Sequence, residues 1–118
     1  MHVKEALAEA AGNVAANYLQ RCGFRILDRN WRHDDDIVAI VADDRRVLVI
    51  IDLRIRAGRR HGAPLEVIGA ARRKAMRSLG ARWLAEHGRR ADQIRIDVVG
   101  LLQDGDGGFT IEHVRAVG

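Results

Sequence analysis

Arg54, Arg56, Arg59, Arg60 and His61 crowd one short stretch of the chain with groups suited to a phosphate backbone. A guanidinium meets a phosphate with two parallel hydrogen bonds and stays charged at any physiological pH. Side chains two apart on a strand share a face, so Arg54 and Arg56 project together with Asp52. Arg59 and Arg60 carry the charge into the basic, glycine-containing loop Arg56–Gly62. The plain alternative is a charged loop that keeps a sheet in solution; phosphate contact is expected instead. His33-Asp34-Asp35-Asp36 offers four successive ligand types, but consecutive residues cannot all aim at one ion. The oxygen spacing, glycine and distant Glu of a calcium loop are missing, so a solvated turn is expected. His61, His87 and His113 have no zinc-ligand spacing and are expected at the surface. Cys22, the single cysteine, can form no internal disulfide and is expected as a buried structural thiol. Trp31 and Trp83 could stack on bases, although Trp83 lies on an apolar helical stripe that predicts a core position. Gly105 to Gly108 follow no phosphate-loop pattern and suit a hairpin.

The elements that must hold these residues follow from periodicity. Val3, Leu7, Ala10, Val14 and Tyr18 form an apolar stripe that predicts a helix over Val3–Gln20, with Gly23 at its C-terminal cap. Strands are predicted over Phe24–Trp31, Ile37–Ala42 and Val47–Ile55, the last two joined as a hairpin by Asp43-Asp44-Arg45-Arg46. On the third strand Ile51, Leu53 and Ile55 should be buried on one face, with Asp52 and Arg54 on the other. Pro64 suits the first turn of a second helix, Pro64–His87. Its buried face is expected at Leu65, Ile68, Ala71, Ala75, Leu79 and Trp83, while Arg72, Arg73, Lys74, Arg77 and Arg82 supply polar surface. Strands over Ile94–Leu102 and Phe109–Val117 complete an αβββαββ order, a mixed sheet with helices packed on it.

A length of 118 residues fits one domain, 1–118, and 47% hydrophobic residues can build a core. No apolar run reaches the roughly 20 residues of a membrane span, and Met1–Glu9 has no signal-peptide apolar region, so the expected location is cytoplasmic. The 20 Lys and Arg are all Arg except Lys4 and Lys74, and the net charge is +4, compatible with a polyanionic partner.

Several segments in order resemble one family. Ala11-Gly12-Asn13-Val14-Ala15-Ala16-Asn17-Tyr18-Leu19 looks like its opening helix, and Gly23-Phe24-Arg25-Ile26-Leu27-Asp28-Arg29-Asn30-Trp31-Arg32 is the nearest match. Gly62-Ala63-Pro64, Ala81-Arg82-Trp83-Leu84, Arg95-Ile96-Asp97-Val98-Val99 and His113–Gly118 follow at fitting intervals. The chain thus resembles the YraN-like family of bacterial proteins, with a restriction-endonuclease-like fold. That resemblance implies a metal-dependent nuclease site: an Asp on the second strand and Glu-x-Lys on the third, holding a divalent cation beside the scissile phosphate. The metal-binding Asp falls on Ala39, the Glu-x-Lys on Asp52-Leu53-Arg54, and a first-helix Glu on Asn13. Arg54 keeps a positive charge but cannot serve as a neutral base. Sliding the second strand by three residues would put Asp36 in place of the missing Asp, but an odd shift exchanges the strand's two faces, so the ungapped register is preferred.

The expectation is therefore a nucleic-acid-binding protein with a degenerate site at Asp52 and Arg54. Its phosphate contacts would come from Arg54, Arg56, Arg59, Arg60, Arg72, Arg73 and Lys74. No cofactor is expected. The first alternative is an active Mg²⁺- or Mn²⁺-dependent endonuclease with Asp36 and Asp52 as ligands. The second is a protein-interaction module. The expected partner is DNA or RNA rather than a membrane.

Overall fold

A computed structural model describes residues 3–57 and 68–117. The elements are α1 (Val3–Arg21), β1 (Arg25–His33), β2 (Asp36–Asp44), β3 (Val47–Ala57), α2 (Ala70–Glu86), β4 (Gln93–Gln103) and β5 (Phe109–Val114). The αβββαββ order is the predicted one, and the arrangement is consistent with a restriction-endonuclease-like fold. One open sheet runs β1-β2-β3-β4-β5. β3 and β4 pair in parallel, and the other neighbours are antiparallel. Parallel pairing requires a crossover, and α2 is part of it.

Strand alternation sorts the sheet into two cores. Ile40, Ala42, Val49, Ile51, Val99 and Leu101 pack with Ala11, Ala15, Leu19 and Phe24 on the α1 side. Val41, Leu48, Ile50, Ile96 and Val98 pack with Met76 and Trp83 on the α2 side. Leu53 and Ile55 join the α1-side core, while Asp52 meets a side chain of α2, as the alternation of β3 predicts. Near-continuous Val and Ile runs in β3 and β4 suit strands covered on both faces.

The helices correct the predicted stripes. In α1 the buried positions are Ala11, Gly12, Ala15, Ala16 and Leu19; Val14 and Tyr18 are half-buried and Ala10 is exposed. Among the described residues α2 begins at Ala70, after Gly69 in an extended conformation. Pro64 and Leu65 lie outside the described residues. Ala71 and Ala75 are exposed, and α2 meets the sheet through Met76, Gly80 and Trp83. Alanine is apolar enough to be read as core yet small enough to be left outside. β5 also stops at Val114, three residues short of the prediction, and the Val117 N–H instead bonds to the Ile96 carbonyl at 2.9 Å.

Two glycines hold α1 and α2 in place. Gly23 ends α1 with φ of +93°, which only glycine adopts freely. Gly80 brings α2 close: a Cβ there would lie 2.9 Å from Ile94 Cγ2 and 3.2 Å from Ile50 Cγ1. Gly80→Val is expected to destabilise the fold by about 1–3 kcal/mol by overpacking. The measurement is the urea midpoint at constant slope; an unchanged midpoint would contradict so close an approach.

Candidate functional site

The β2–β3 ladder runs from Asp44↔Val47 to Ile40↔Ile51 and stops. β2 continues along β1 to His33↔Asp36, and β3 continues along β4 to Ala57↔Gln103. The two strands therefore part at Ala39 and Asp52, the positions carrying the resembled metal site. A cavity of about 140 Å³ occupies this fork on the α2 side, lined by Asp36, Val38, Ala39, Asp52, Arg72 and Met76 among others.

Asp52 is 7% exposed and both its oxygens are engaged. Arg72 Nη2 donates to Oδ1 at 3.0 Å, and Arg54 Nε donates to Oδ2 at 3.3 Å. The Arg54 bond follows from strand alternation; the Arg72 bond needs α2 laid across the fork. Asp36 and Asp52 are the two carboxylates lining this cavity. Among the described residues, no three His, Cys, Asp or Glu side chains come together as a metal cage.

Asn13 lies across the sheet on α1, where its Oδ1 accepts from Arg29 Nη1 at 3.3 Å. It lines a groove of about 850 Å³ with Arg29, Arg32 and Leu53, and Ala39 lines both this groove and the fork cavity. The structure thus brings Asp36, Ala39, Asp52 and Arg54 together and leaves Asn13 on the far side of the fork.

Of the remaining predicted phosphate ligands, Arg73 Nη1 donates to the Ile68 carbonyl at 2.8 Å, and Lys74 is exposed. Arg72, Arg73 and Lys74 all sit near the start of α2, which has no side-chain cap and no acidic residue in its first turn. Arg56 lies next to the last residue of β3 and has a partner of its own. Arg59, Arg60 and His61 lie outside the described residues. His33 to Asp36 form the expected turn, with Asp34 at φ of +53°. Trp83 is core, its Nε1 donating to Asp28 Oδ2 at 2.9 Å. Trp31 is half-buried and stacks on His33.

Two residues differ from expectation. Cys22 is exposed, just after the end of α1. His113 is buried, its side chain 5% exposed. His113 belongs to a network that sequence reasoning missed, centred on the fully buried Asp97. Asp97 takes Arg95 Nε and Nη2 at 2.8 and 3.0 Å, the Ala116 N–H at 3.0 Å and His113 Nε2 at 2.9 Å. An ionised Asp97 only accepts, so His113 Nε2 donates, and in the neutral ring Nδ1 accepts the Tyr18 hydroxyl at 2.9 Å. Burial pushes the Asp97 carboxyl up, but hydrogen bonds from His113, Arg95 and Ala116 outweigh it and hold it at about 2. Burial raises the Tyr18 hydroxyl, with a further contribution from Cys22. The available signal was a lone Asp in the apolar strand Ile94–Leu102, because a charge is rarely buried without partners.

Residues 11–101 match the uncharacterised protein family UPF0102, and whole-chain relatives carry the same family name. The chain belongs to UPF0102. A UPF0102 protein of Arthrobacter sp. (strain FB24) is 38% identical over 118 residues, all of both chains. One of Beutenbergia cavernae is 36% identical, again over the whole of both chains. One of Frankia casuarinae is 36% identical over 98% of each. The UPF0102 match runs from the middle of α1 through most of β4 and so contains the fork and Asp97, while β5 and His113 lie beyond it.

Proposed function

We propose that this UPF0102 protein binds nucleic acid through the face formed by β3 and the start of α2, without metal-dependent cleavage. The observation that carries the reading is the beginning of α2. Its amide end has a partial positive charge, which ordinarily favours acidic side chains. Here it bears Arg72, Arg73 and Lys74, with no acidic residue in the first turn. Cations at this pole are unfavourable in isolation and become favourable beside a phosphate. Arg54 and Arg56 on β3 extend the same surface, Arg59 and Arg60 follow them in the sequence, and the contacts are to the backbone rather than to bases. Cytoplasmic DNA or RNA is the partner class; no helix among the described residues is long and apolar enough to cross a membrane.

The donor set does not fit a divalent cation. Mg²⁺ is held through carboxylate oxygens, but the Asp52 carboxylate is clamped by two guanidiniums and Ala39 offers no oxygen. One observation favours a second reading: Asp36 and Asp52 line the same cavity, the pair that an Mg²⁺- or Mn²⁺-dependent endonuclease would use.

Binding to duplex and single-stranded DNA and to RNA is expected to weaken with salt. Arg72→Ala, Arg73→Ala and Lys74→Ala together should flatten the slope by about 0.9 for each duplex phosphate that the variant no longer neutralises. Undetectable binding at low salt would favour a protein-interaction module instead. Cleavage with Mg²⁺ or Mn²⁺ that Asp36→Ala or Asp52→Ala abolishes would establish the nuclease.

A further inference from the structure

The other end of β3 carries a second basic site, about 16 Å along the strand from Asp52. A cavity of about 420 Å³ opens there between the end of α1, the β2–β3 turn and the tail after β5. Its wall contains three guanidiniums, Arg45, Arg95 and Arg115, and one carboxylate, Asp44. Arg95 is fixed by the buried Asp97 and gives Nη1 to Asp44 Oδ2 at 2.9 Å. Arg115 Nη1 lies 3.9 Å from the same oxygen. The Arg115 and Arg95 guanidiniums lie 5.0 and 5.6 Å from the centroid of the Phe24 ring, so like charges share one ring. Arg45 is exposed on a turn where it and Arg46 both have positive φ, 53° and 73°, a strained arrangement without glycine. Three positive groups against Asp44 and Asp97 leave one positive charge in excess.

We infer that this cavity binds a phosphomonoester dianion, either free or at the end of a nucleic-acid strand. A monoester presents three free oxygens and about two charges, and three guanidiniums line this cavity to receive them. A backbone diester has two free oxygens and one charge, and fits an open face better. Arginine forks supply the bidentate geometry.

Cys22 is exposed, lines the same cavity and is the only cysteine, so it reports occupancy. Its alkylation by N-ethylmaleimide is measured in inorganic phosphate and in chloride of equal ionic strength. At about nine-tenths occupancy phosphate should slow the reaction about tenfold, by mass action. Arg45→Ala with Arg115→Ala should remove the protection. Both residues are exposed and neither holds Asp97, so the thermal midpoint should stay near that of the wild type. Equal rates in phosphate and chloride overturn the inference, as does protection that survives in the double variant. A nucleoside 5′-monophosphate and an oligonucleotide with a 5′-phosphate or a 5′-hydroxyl separate the sources. Protection by the monophosphate assigns a free ligand, and protection by the phosphorylated oligonucleotide alone assigns a strand end. Equal protection by both oligonucleotides assigns the backbone and overturns the monoester. The Arg72, Arg73 and Lys74 substitutions lie outside this cavity, so the two proposals fail separately.

Discussion

Asp97→Asn is expected to cost about 3–5 kcal/mol of stability, because it removes the carboxylate of a buried ion pair, leaving Arg95 with Asp44 as its remaining carboxylate and His113 without its acceptor. The carboxylate is fully buried and holds Arg95, His113 and the Ala116 N–H together. An amide would turn an N–H toward groups that are themselves donors. Domains of this size have about 5–15 kcal/mol in all, so urea unfolding at pH 7 should show a large fall in midpoint. The pH dependence follows from the lowered carboxyl. Its folded value, about 2, lies below the ordinary 3.8, so the contribution is full above that ordinary value and is lost as pH falls through 2. The gap corresponds to about 2 kcal/mol. Other carboxylates titrate in the same range, so the quantity to compare is the difference between wild type and variant, which should shrink by that amount from pH 5 to pH 2. A constant difference would remove Asp97 as the source.

Trp83→Ala should cost a similar amount, about 3–5 kcal/mol, by emptying the centre of the α2-side core. Trp83 is 2% exposed and packs α2 onto the sheet. Trp83→Phe separates packing from polarity: it keeps an aromatic ring but leaves Asp28 Oδ2 without the indole N–H at 2.9 Å. A loss of about 1–3 kcal/mol is expected from the hydrogen bond to a charged acceptor. Chemical unfolding of both variants checks the partition. Equal losses would put the energy in the hydrogen bond, and losses below about 1 kcal/mol in both would contradict the packing of α2.

β3 was legible because its β-branched run alternates cleanly: Ile51, Leu53 and Ile55 go to one side, and Asp52 and Arg54 meet on the other. The buried faces of the helices were legible only in outline. Leu19 and Met76 face the cores, but Ala11 and Ala75 look alike in sequence and only the first is buried. The fork was half legible. Aligning Ala39 with Asp52 requires only a register, whereas the Arg72 clamp joins residues 20 apart through a helix whose position no local pattern states. His113 was misread for the same reason. Its partners, Asp97 and Tyr18, are 16 and 95 residues away, and a histidine between Glu112 and Val114 gives no local sign of burial.

The parallel seam of β3 and β4 has a kinetic consequence. From Val47↔Gln93 to Ala57↔Gln103 each pair joins residues 46 apart (93 − 47 and 103 − 57). Closing a loop of that length costs about 3 kcal/mol of chain entropy before the first pair forms. The β1–β2 and β2–β3 hairpins close over short turns and can form early, but the seam must wait for the crossover. Asp97 and Arg72 both lie after that crossover begins. Until it closes, Asp52 has no clamp from α2 and Asp97 has no cover from α1, so both carboxylates remain hydrated along the route. The step that builds the middle of the sheet is therefore also the step that dehydrates its two buried acids.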